Sequence, residues 1–237
     1  MSKPKIALQT NDAAPQRGPA VLFDLDGTLM DSNYQHVSAW RAAFQRAGIE
    51  VPSAFLHRCI GMHGDLLIRA VQKEMGSSGG RSAEKLEKLH REFFARNLRG
   101  VTPLPGAVPL LQALSRRKVP WAIATGGDKS AVSKMIRPLR VPPAAPVITA
   151  DDVDEAKPAP DVFLVAAQKL GIALGDCIVV GDSVWDLLGA RRAKALGIGL
   201  LSGGYSDAEL TRAGAYRVYK HPADLLEHLP EIGIDAR

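Results

Sequence analysis

Three aspartates follow short apolar runs in this 237-residue chain, at positions where their side chains could share a ligand. Asp24 and Asp26 follow the run at 21–23, and Asp182 comes shortly after the run at 177–180. If these runs are strands of one parallel sheet, their carboxyl ends meet at the edge where open sheets bind ligands. A carboxylate there costs on the order of several kcal/mol to desolvate without compensation, so we expect the three to converge on a cation. Oxygen ligands suit a hard ion, and Mg²⁺ with retained waters is the predicted cofactor.

A carboxylate cluster with a bound metal is suited to phosphoryl transfer, because an aspartate can act as the nucleophile of aspartyl-phosphate chemistry. Lys157 is a candidate to neutralise, together with the metal, the repulsion between that carboxylate and a phosphoryl group. Thr125 can donate a hydrogen bond to a phosphoryl oxygen, and Gly126 lets a backbone N–H approach closely. Asp26 lies two residues after Asp24 and points the same way on an extended strand end. We predict that it acts as general acid on the leaving oxygen and then as general base on water.

The apolar runs predict the scaffold that positions these side chains. They do not alternate with polar residues, which is typical of strands covered on both faces of a parallel sheet. Strands that alternate with helices favour an α/β, doubly wound, Rossmann-like fold. The predicted strands are 21–23, 121–124, 146–148 and 177–180, and the predicted helices are 107–117, 161–170 and one that begins at Val184.

The segment from residue 33 to 100 breaks this alternation because it reads as helical throughout. One apolar stripe at helical spacing consists of Val37, Trp40, Phe44 and Ala47. The first residues of the chain lack the apolar region of a secretory signal. We therefore predict a flexible tail over 1–19, an α/β core over 20–32 and 101–237, and a helical insert over 33–100.

Four motifs in a fixed order give the chain a resemblance to the haloacid dehalogenase-like (HAD) hydrolase superfamily. They are the sequence Asp-Leu-Asp-Gly-Thr at 24–28, Thr125, the sequence Lys-Pro-Ala-Pro at 157–160, and Gly-Asp-Ser-Val-Trp-Asp at 181–186. A lone Asp-x-Asp pair is weak evidence, but the ordered set resembles the family over roughly residues 20–220.

The resemblance implies a role for each matching aspartate. Asp24 would be the nucleophile and a metal ligand. Asp26 would be the general acid and base, with its backbone carbonyl also on the metal, and Asp182 would be the third protein ligand. Asp186 would support the metal or its waters, although an acidic residue near a helix start could instead only favour the helix dipole.

The resemblance also implies how the substrate is held. Thr125 and Lys157 would bind the phosphoryl group. The insert over 33–100 would be a C1-type helical cap that closes over the core, excludes water and reads the substrate. His36, at the cap entry, and His63, in the loop at 61–65, are candidates for substrate contact, although a lone histidine is as often a surface or core residue.

Details of the motifs favour a phosphatase over other activities of the family. The true dehalogenases lack the second aspartate, so Asp26 favours phosphoryl transfer. The cap entry resembles that of sugar-phosphate phosphatases and β-phosphoglucomutases, but the two glycines after Thr125 and the glycine before Asp182 depart from the mutase pattern. We predict a Mg²⁺-dependent phosphatase that hydrolyses a small phosphorylated metabolite, such as a sugar phosphate or a phosphoglycolate-like compound, through an aspartyl-phosphate. A β-phosphoglucomutase-like isomerase and a non-catalytic binding module on the same scaffold are the alternatives.

Composition disfavours several other classes of protein. Hydrophobic residues make up 46% of the chain and charged residues 23%, which is typical of a globular protein. The net charge of +5 suits small anionic substrates, whereas scattered basic residues and 5% aromatics disfavour nucleic acid. No apolar run approaches the ~20 residues of a membrane span. Two cysteines predict no disulfide framework, which is typical of a cytoplasmic protein, and no pattern indicates an oligomeric state.

Overall fold

The computed structural model describes residues 19–76, 82–155 and 157–235. The tail predicted over 1–19 lies, apart from Pro19, outside the described residues. The strands in the described ranges are β1 (Ala20–Phe23), β2 (Met30–Asp31), β3 (Thr102–Pro103), β4 (Trp121–Ala124), β5 (Val147–Ile148), β6 (Cys177–Gly181), β7 (Leu196–Leu200) and β8 (Ala215–Tyr219).

The α-helices in the same ranges bracket these strands. They are α1 (Asn33–Arg46), α2 (Ser53–Cys59), α3 (Gly64–Glu74), α4 (Ala83–Asn97), α5 (Ala107–Arg116), α6 (Lys129–Met135), α7 (Asp161–Leu170), α8 (Val184–Arg192), α9 (Asp207–Ala213) and α10 (Pro222–Glu227). No described helix combines the length and the apolar character that crossing a bilayer requires.

Six strands form one sheet in the order β5-β4-β1-β6-β7-β8, and all neighbours in it are parallel. β1 lies between β4 and β6, with Val21 in register with Trp121 on one side and Ile178 on the other. The chain adds β4 and β5 on one side of β1 and then crosses over to add β6, β7 and β8 on the other. This confirms the predicted α/β, doubly wound fold, and the reversal of strand order leaves a crevice at the carboxyl ends of the central strands.

Helices cover both faces of this sheet because successive residues of each central strand are apolar and point to opposite sides. Phe23 lies in one apolar cluster with Leu110 and Leu114 of α5. Leu22, which points the other way, lies in a second cluster with Phe163 of α7. Both faces of the central strands are therefore covered by apolar side chains, and the polar side chains of the site follow the strand ends.

The insert has an apolar cluster of its own. The predicted stripe of α1 is buried there, and its partners come from each of the other three helices of the insert: Leu56 of α2, Ile68 of α3 and Leu86 of α4. β2 and β3 pair antiparallel, with Met30 opposite Pro103, so the chain leaves the sheet region and returns to it at one place. The helices α1–α4 thus stand on a two-stranded stem beside the end of β1.

Two strands of the sheet, β7 and β8, have no counterpart among the predicted strands. β7 contains Gly197 and Gly199, whose missing side chains leave room for Leu187 of α8 and Leu210 of α9. β8 lies at the sheet edge with Tyr216 exposed. Glycines in one strand and exposed polar or aromatic residues in the other hide the continuous apolar signal that marks a covered strand.

Candidate active site

The ends of β1 and β6 bring three acidic side chains together. Asp24 follows β1, Asp182 follows β6, and Asp186 lies in the first turn of α8. One carboxylate oxygen from each lies within 4.8 Å of the others, and all three side chains are buried. Such a group of oxygen donors could hold a hard divalent cation.

Lys157 is the cation that faces this group. It is buried and forms ion pairs with Asp24 and with Asp186, whose Oδ1 lies 2.9 Å from the lysine Nζ. Burial alone lowers the pKa of Lys157, but the two facing carboxylates outweigh burial and raise it above its ordinary value. The lysine therefore keeps its proton at neutral pH.

One lysine does not balance the negative charge of the cluster. Burial raises the pKa of Asp24 well above its ordinary value, Lys157 opposes that shift, and the neighbouring carboxylates add to it. Burial and the charge of Asp186 likewise raise the pKa of Asp182, to about 7. The carboxylates thus favour gaining protons in the absence of another cation, which is the behaviour expected of a site built for a metal ion.

The surroundings of Asp182 and Asp186 also fit a metal ion. Thr28 Oγ1 donates to Asp182 Oδ1 at 3.1 Å and Asn33 Nδ2 donates to its Oδ2 at 2.8 Å, so the carboxylate is held in one orientation. A Cβ at Gly203 would overlap that carboxylate. Asp186 Oδ1 is buried and, despite the nearby lysine, lacks a well-oriented hydrogen bond. A carboxylate held in one orientation and a buried carboxylate oxygen without a hydrogen-bond donor are both expected where a small cation binds carboxylate oxygens.

Asp186 has the helix-start role that was considered for it, and its support of a metal ion stays a prediction. Its Oδ2 accepts hydrogen bonds from the backbone N–H of Ser183 at 3.2 Å and from the Ser183 hydroxyl at 2.6 Å, which forms a capping box at the start of α8. Its Oδ1 faces Lys157. The helix start therefore fixes the carboxylate that closes one side of the cluster.

The expected convergence of three carboxylates is found for Asp24 and Asp182 but not for Asp26, whose carboxylate is outside the cluster and has different partners. His36 Nε2 lies 3.0 Å from Asp26 Oδ1, and Ser32 donates to the same oxygen. Burial raises the pKa of Asp26, but the charge and hydrogen bond of His36 and the hydrogen bond of Ser32 outweigh it, so the pKa is lowered. An ionised Asp26 accepts only, which places a hydrogen on His36 Nε2.

His36, predicted as a candidate for substrate contact, therefore contacts a carboxylate of the site. Its Nδ1 lies 3.1 Å from Nε2 of His90, and its ring stacks on Phe94 with centroids 3.8 Å apart. His90 in turn stacks on Trp40. Burial lowers the pKa of His90 well below its ordinary value, so this histidine is neutral. The position of His90 in the amphipathic pattern of α4 gives no indication of this contact.

Thr125 and Gly126 lie at the end of β4, across β1 from Asp182. Thr125 is fully buried; its Oγ1 lies 3.4 Å from Asp26 Oδ2 and accepts a hydrogen bond from the backbone N–H of Gly127 at 3.0 Å. Gly126 and Gly127 line the adjacent cavity. Contact of Thr125 and Gly126 with a phosphoryl group stays a prediction, with Gly126 the more accessible of the two.

A cavity of about 1130 Å³ extends from this cluster between the core and the helical insert. Asp24, Asp26, Lys157 and Asp182 lie at its floor, and His63 lies on the insert side. His63 also accepts a hydrogen bond from the backbone N–H of Asp65 at 3.4 Å and so begins α3. The predicted substrate contact of His63 is geometrically available, next to a structural role that the sequence pattern did not suggest.

A family model of haloacid dehalogenase-like hydrolases matches residues 19–194. The chain belongs to this family of hydrolases. Hexitol phosphatase A of Escherichia coli (strain K12) is 37% identical over 165 residues, which are 68% of this chain and 73% of that protein. Phosphoglycolate phosphatase of Neisseria meningitidis is 28% identical over 233 residues, 93% of this chain and 94% of that protein. The crystal structure of a hydrolase from Pseudomonas syringae superposes with a TM-score of 0.86 at 44% identity and covers 91% of this chain and 99% of that one.

These similarities confirm the predicted HAD-like family. The geometry adds residues that the motif reading left without a role. Thr28, Ser32, Asn33 and Ser183 donate hydrogen bonds to the aspartates, Gly203 packs against Asp182, and His90 contacts His36. Ser32 and Asn33 directly follow β2, so their closeness in sequence to the first motif could have indicated a role at the site. His90 and Gly203 are distant in sequence from every motif.

Proposed function

We propose that the protein is a Mg²⁺-dependent phosphatase that hydrolyses a small phosphorylated metabolite through an aspartyl-phosphate on Asp24. The observation that carries the proposal is the contact of Asp24 with a buried, protonated lysine beside Asp182 and Asp186, at the floor of a cavity. A lysine against the attacking carboxylate offsets the charge of an incoming phosphoryl group. The family of hydrolases to which the chain belongs and its similarity to named phosphatases support the same reaction class.

Asp24 and Asp182 would hold the metal ion, with the backbone carbonyl of Asp26 as a further ligand and Asp186 in support. When bound, Mg²⁺ neutralises charge on the phosphoryl oxygens. Lys157 and the backbone N–H groups at Gly126 would bind the remaining phosphoryl oxygens, with Thr125 behind them.

In the first step, a carboxylate oxygen of Asp24 forms a bond to phosphorus while the ester P–O bond breaks. Asp26 gives its proton to the leaving oxygen, which departs as an alcohol. In the free site Asp26 is ionised, since His36 lowers its pKa. An arriving phosphoryl group brings negative charge close to Asp26 and raises that pKa again, so substrate binding itself favours the protonated form.

In the second step, Asp26 takes a proton from a water molecule whose oxygen attacks phosphorus. The bond between phosphorus and Asp24 breaks, inorganic phosphate is released, and both carboxylates return to their starting forms. His36 holds Asp26 in place through both steps by its contact at 3.0 Å.

For the substrate we propose a sugar or sugar-alcohol phosphate or a phosphoglycolate-like acid. The cavity is ample for a six-carbon phosphate ester. Its insert side offers His63, Glu87 and Arg91 to hydroxyl or carboxylate groups.

The test is a panel of phosphate esters with and without Mg²⁺, with free phosphate as the readout. The panel contains hexitol phosphates, fructose 1-phosphate, phosphoglycolate and β-glucose 1-phosphate, and the last is also followed for glucose 6-phosphate. Mg²⁺-dependent release of phosphate is the expected result. Formation of the 6-phosphate without free phosphate would overturn the phosphatase in favour of the isomerase. No turnover of any ester would favour the non-catalytic binding module.

A further inference from the structure

The end of α2 joins the insert to the core on one side of the cavity. His57 Nε2 lies 2.7 Å from the backbone oxygen of Gly203 and donates to it. Arg58 places its guanidinium 4.2 Å from the centre of the Tyr205 ring and forms an ion pair with Glu209 of α9. We call this set of five residues the α2 latch. None of them is part of the reaction steps described above.

The main chain of Arg58 takes part as well. Its backbone oxygen accepts a hydrogen bond from Trp185 Nε1 at 3.2 Å and one from the Tyr205 hydroxyl at 2.9 Å. Tyr205 is buried, and burial raises its pKa above the ordinary value, so the hydroxyl keeps its proton. The end of α2 is therefore held by the core through both its backbone and its side chains.

The other side of the insert is not fastened in this way. In the part of the chain that the structure describes, no hydrogen bond or ion pair joins α3 or α4 to α6, although residues of all three helices line the cavity. Arg91 of α4 and Lys129 and Lys134 of α6 face the cavity from its two sides. The hydrogen bonds from the insert to the core thus come from α1, through Asn33 and His36, and from the end of α2, whereas α3 and α4 face α6 across the cavity.

The core segment that the latch holds is also the one packed against Asp182. The backbone of Gly203 leaves no room for a Cβ beside the Asp182 carboxylate. Ser202 donates from Oγ to the backbone oxygen of Gly27 at 2.7 Å, which ties the same segment to the loop after β1. A displacement of α2 would therefore pull on the loop that backs the carboxylate cluster.

We propose that His57 and Arg58 are positioning residues that hold the insert over the carboxylate cluster through the α2 latch. The proposal rests on the proposed function, because a held insert matters to the reaction only if the substrate binds between insert and core. A closed latch keeps His63 and Arg91 over the bound ester. A loosened latch weakens substrate binding and leaves the chemical step at Asp24 largely intact.

A charge exchange across the latch tests this. Arg58→Glu and Glu209→Arg each place two like charges opposite one another, and the double variant restores opposite charges in reversed order. Arg69→Glu is the matched control, since Arg69 is an exposed arginine of the insert that pairs with Asp65 within α3 and, among the described residues, has no ion pair or hydrogen bond with the core. Arg58→Gln loses the charge without repulsion and serves if the charge reversal prevents folding, which far-UV circular dichroism would show.

The first readout is amide hydrogen exchange of the peptides that cover 57–62 and 201–206, which needs no activity. Each single variant is expected to exchange about fivefold faster in both peptides, a factor typical of a lost partly exposed ion pair, and the double variant to return to about twofold of wild type. Glu209→Arg also removes the hydrogen bonds of Ser206 at the start of α9, so recovery is judged on the peptide that covers 57–62. Unchanged exchange in the single variants, or no recovery of that peptide in the double variant, would overturn the latch.

The second readout is hydrolysis of p-nitrophenyl phosphate with Mg²⁺. The single variants are expected to raise KM about fivefold and to change kcat less than about twofold, whereas Arg69→Glu changes neither. Faster exchange with an unchanged KM would overturn the positioning role. A wild-type protein that hydrolyses nothing while the exchange pattern follows the latch would refute the proposed function and leave the attachment of the insert in place.

Discussion

The floor and the roof of the cavity are built in opposite ways. On the floor, Asp24, Lys157 and Asp182 are 6%, 2% and 3% exposed, and every one has a charged or hydrogen-bonded partner. On the roof, the side chains of Glu87 and Arg91 are 25% and 50% exposed and face each other at 3.9 Å. The floor is a set of buried charges held by their partners, and the roof is a set of partly exposed groups on helix surfaces.

Under the proposed function, this difference separates the reaction, at the floor, from recognition of the substrate, at the roof. Buried charges that are already held by hydrogen bonds would act strongly on a bound phosphoryl group and would need no rearrangement during the reaction. Solvated side chains give up less energy per contact and can be exchanged without unfolding the core. Changes on the floor should therefore reduce kcat by orders of magnitude, and changes on the roof should alter KM by small factors.

The largest effect is expected for Asp24→Asn. The amide keeps the shape of the side chain but is no nucleophile, so turnover of p-nitrophenyl phosphate should fall on the order of 10⁴-fold or more. Steady-state release of p-nitrophenol measures this, and a far-UV spectrum like that of wild type is the control for folding. A variant that turns over at a wild-type rate would remove Asp24 from the role of nucleophile.

A smaller but still large effect is expected for Lys157→Met. Methionine fills similar space but leaves Asp24 and Asp186 without their counter-charge, so kcat should fall about 100- to 1000-fold. Lys157→Arg is the matched control, because it keeps the charge but places it differently. If Lys157→Met changed KM alone, the lysine would belong with the recognition groups of the roof and the contrast between the two walls would be lost.

On the roof, His63→Ala and His63→Asn separate substrate contact from helix capping. Both remove the imidazole and should raise KM about fivefold with kcat nearly unchanged. Asparagine still accepts the hydrogen bond at the start of α3, so only the alanine variant should melt lower, by about 3 °C. A KM that changes with alanine but not with asparagine would assign His63 to the helix start only. Thermal melts and initial rates on the best ester of the panel provide both numbers.

The smallest effect is a pH dependence of stability in the metal-free protein. The pKa of Asp182 is about 7 in the folded chain against an ordinary value of 3.8, so the folded state binds more protons than the unfolded state between these values. Stability from this group is thus highest at low pH and is lost as pH rises through 7. The Tm should fall by about 5 °C between about pH 5 and pH 7.5, and Mg²⁺ should raise it more at the higher pH.

Asp182→Asn provides the control for that measurement, since an amide does not titrate. Its Tm should vary less with pH over the same interval, and Mg²⁺ should raise it less. A metal-free wild type whose Tm rises over this interval, or that does not respond to Mg²⁺, would show that the floor is not short of positive charge.

Much of the fold followed from local patterns. The predicted helix over 161–170 matches α7, and the predicted strand over 121–124 matches β4, because a proline-bounded amphipathic run and a short covered strand each leave a continuous signal. β7 gave no such signal, because Gly197 and Gly199 have no side chains and residues of α8 and α9 pack against their backbone instead. Its existence depends on helices that are neighbours only after folding.

The candidate site divides in the same manner. The order of the residues was enough to select Asp24, Lys157 and Asp182 and to place the two aspartates at strand ends, since parallel strands deliver their carboxyl ends to one edge whatever lies between them. The contact of His36 with Asp26 and His90, and the hold of α2 on Gly203 and Glu209, came from folding alone. Those contacts depend on how a helical insert tilts against the sheet, and that tilt follows from the shapes of two apolar cores that no spacing within a single segment records.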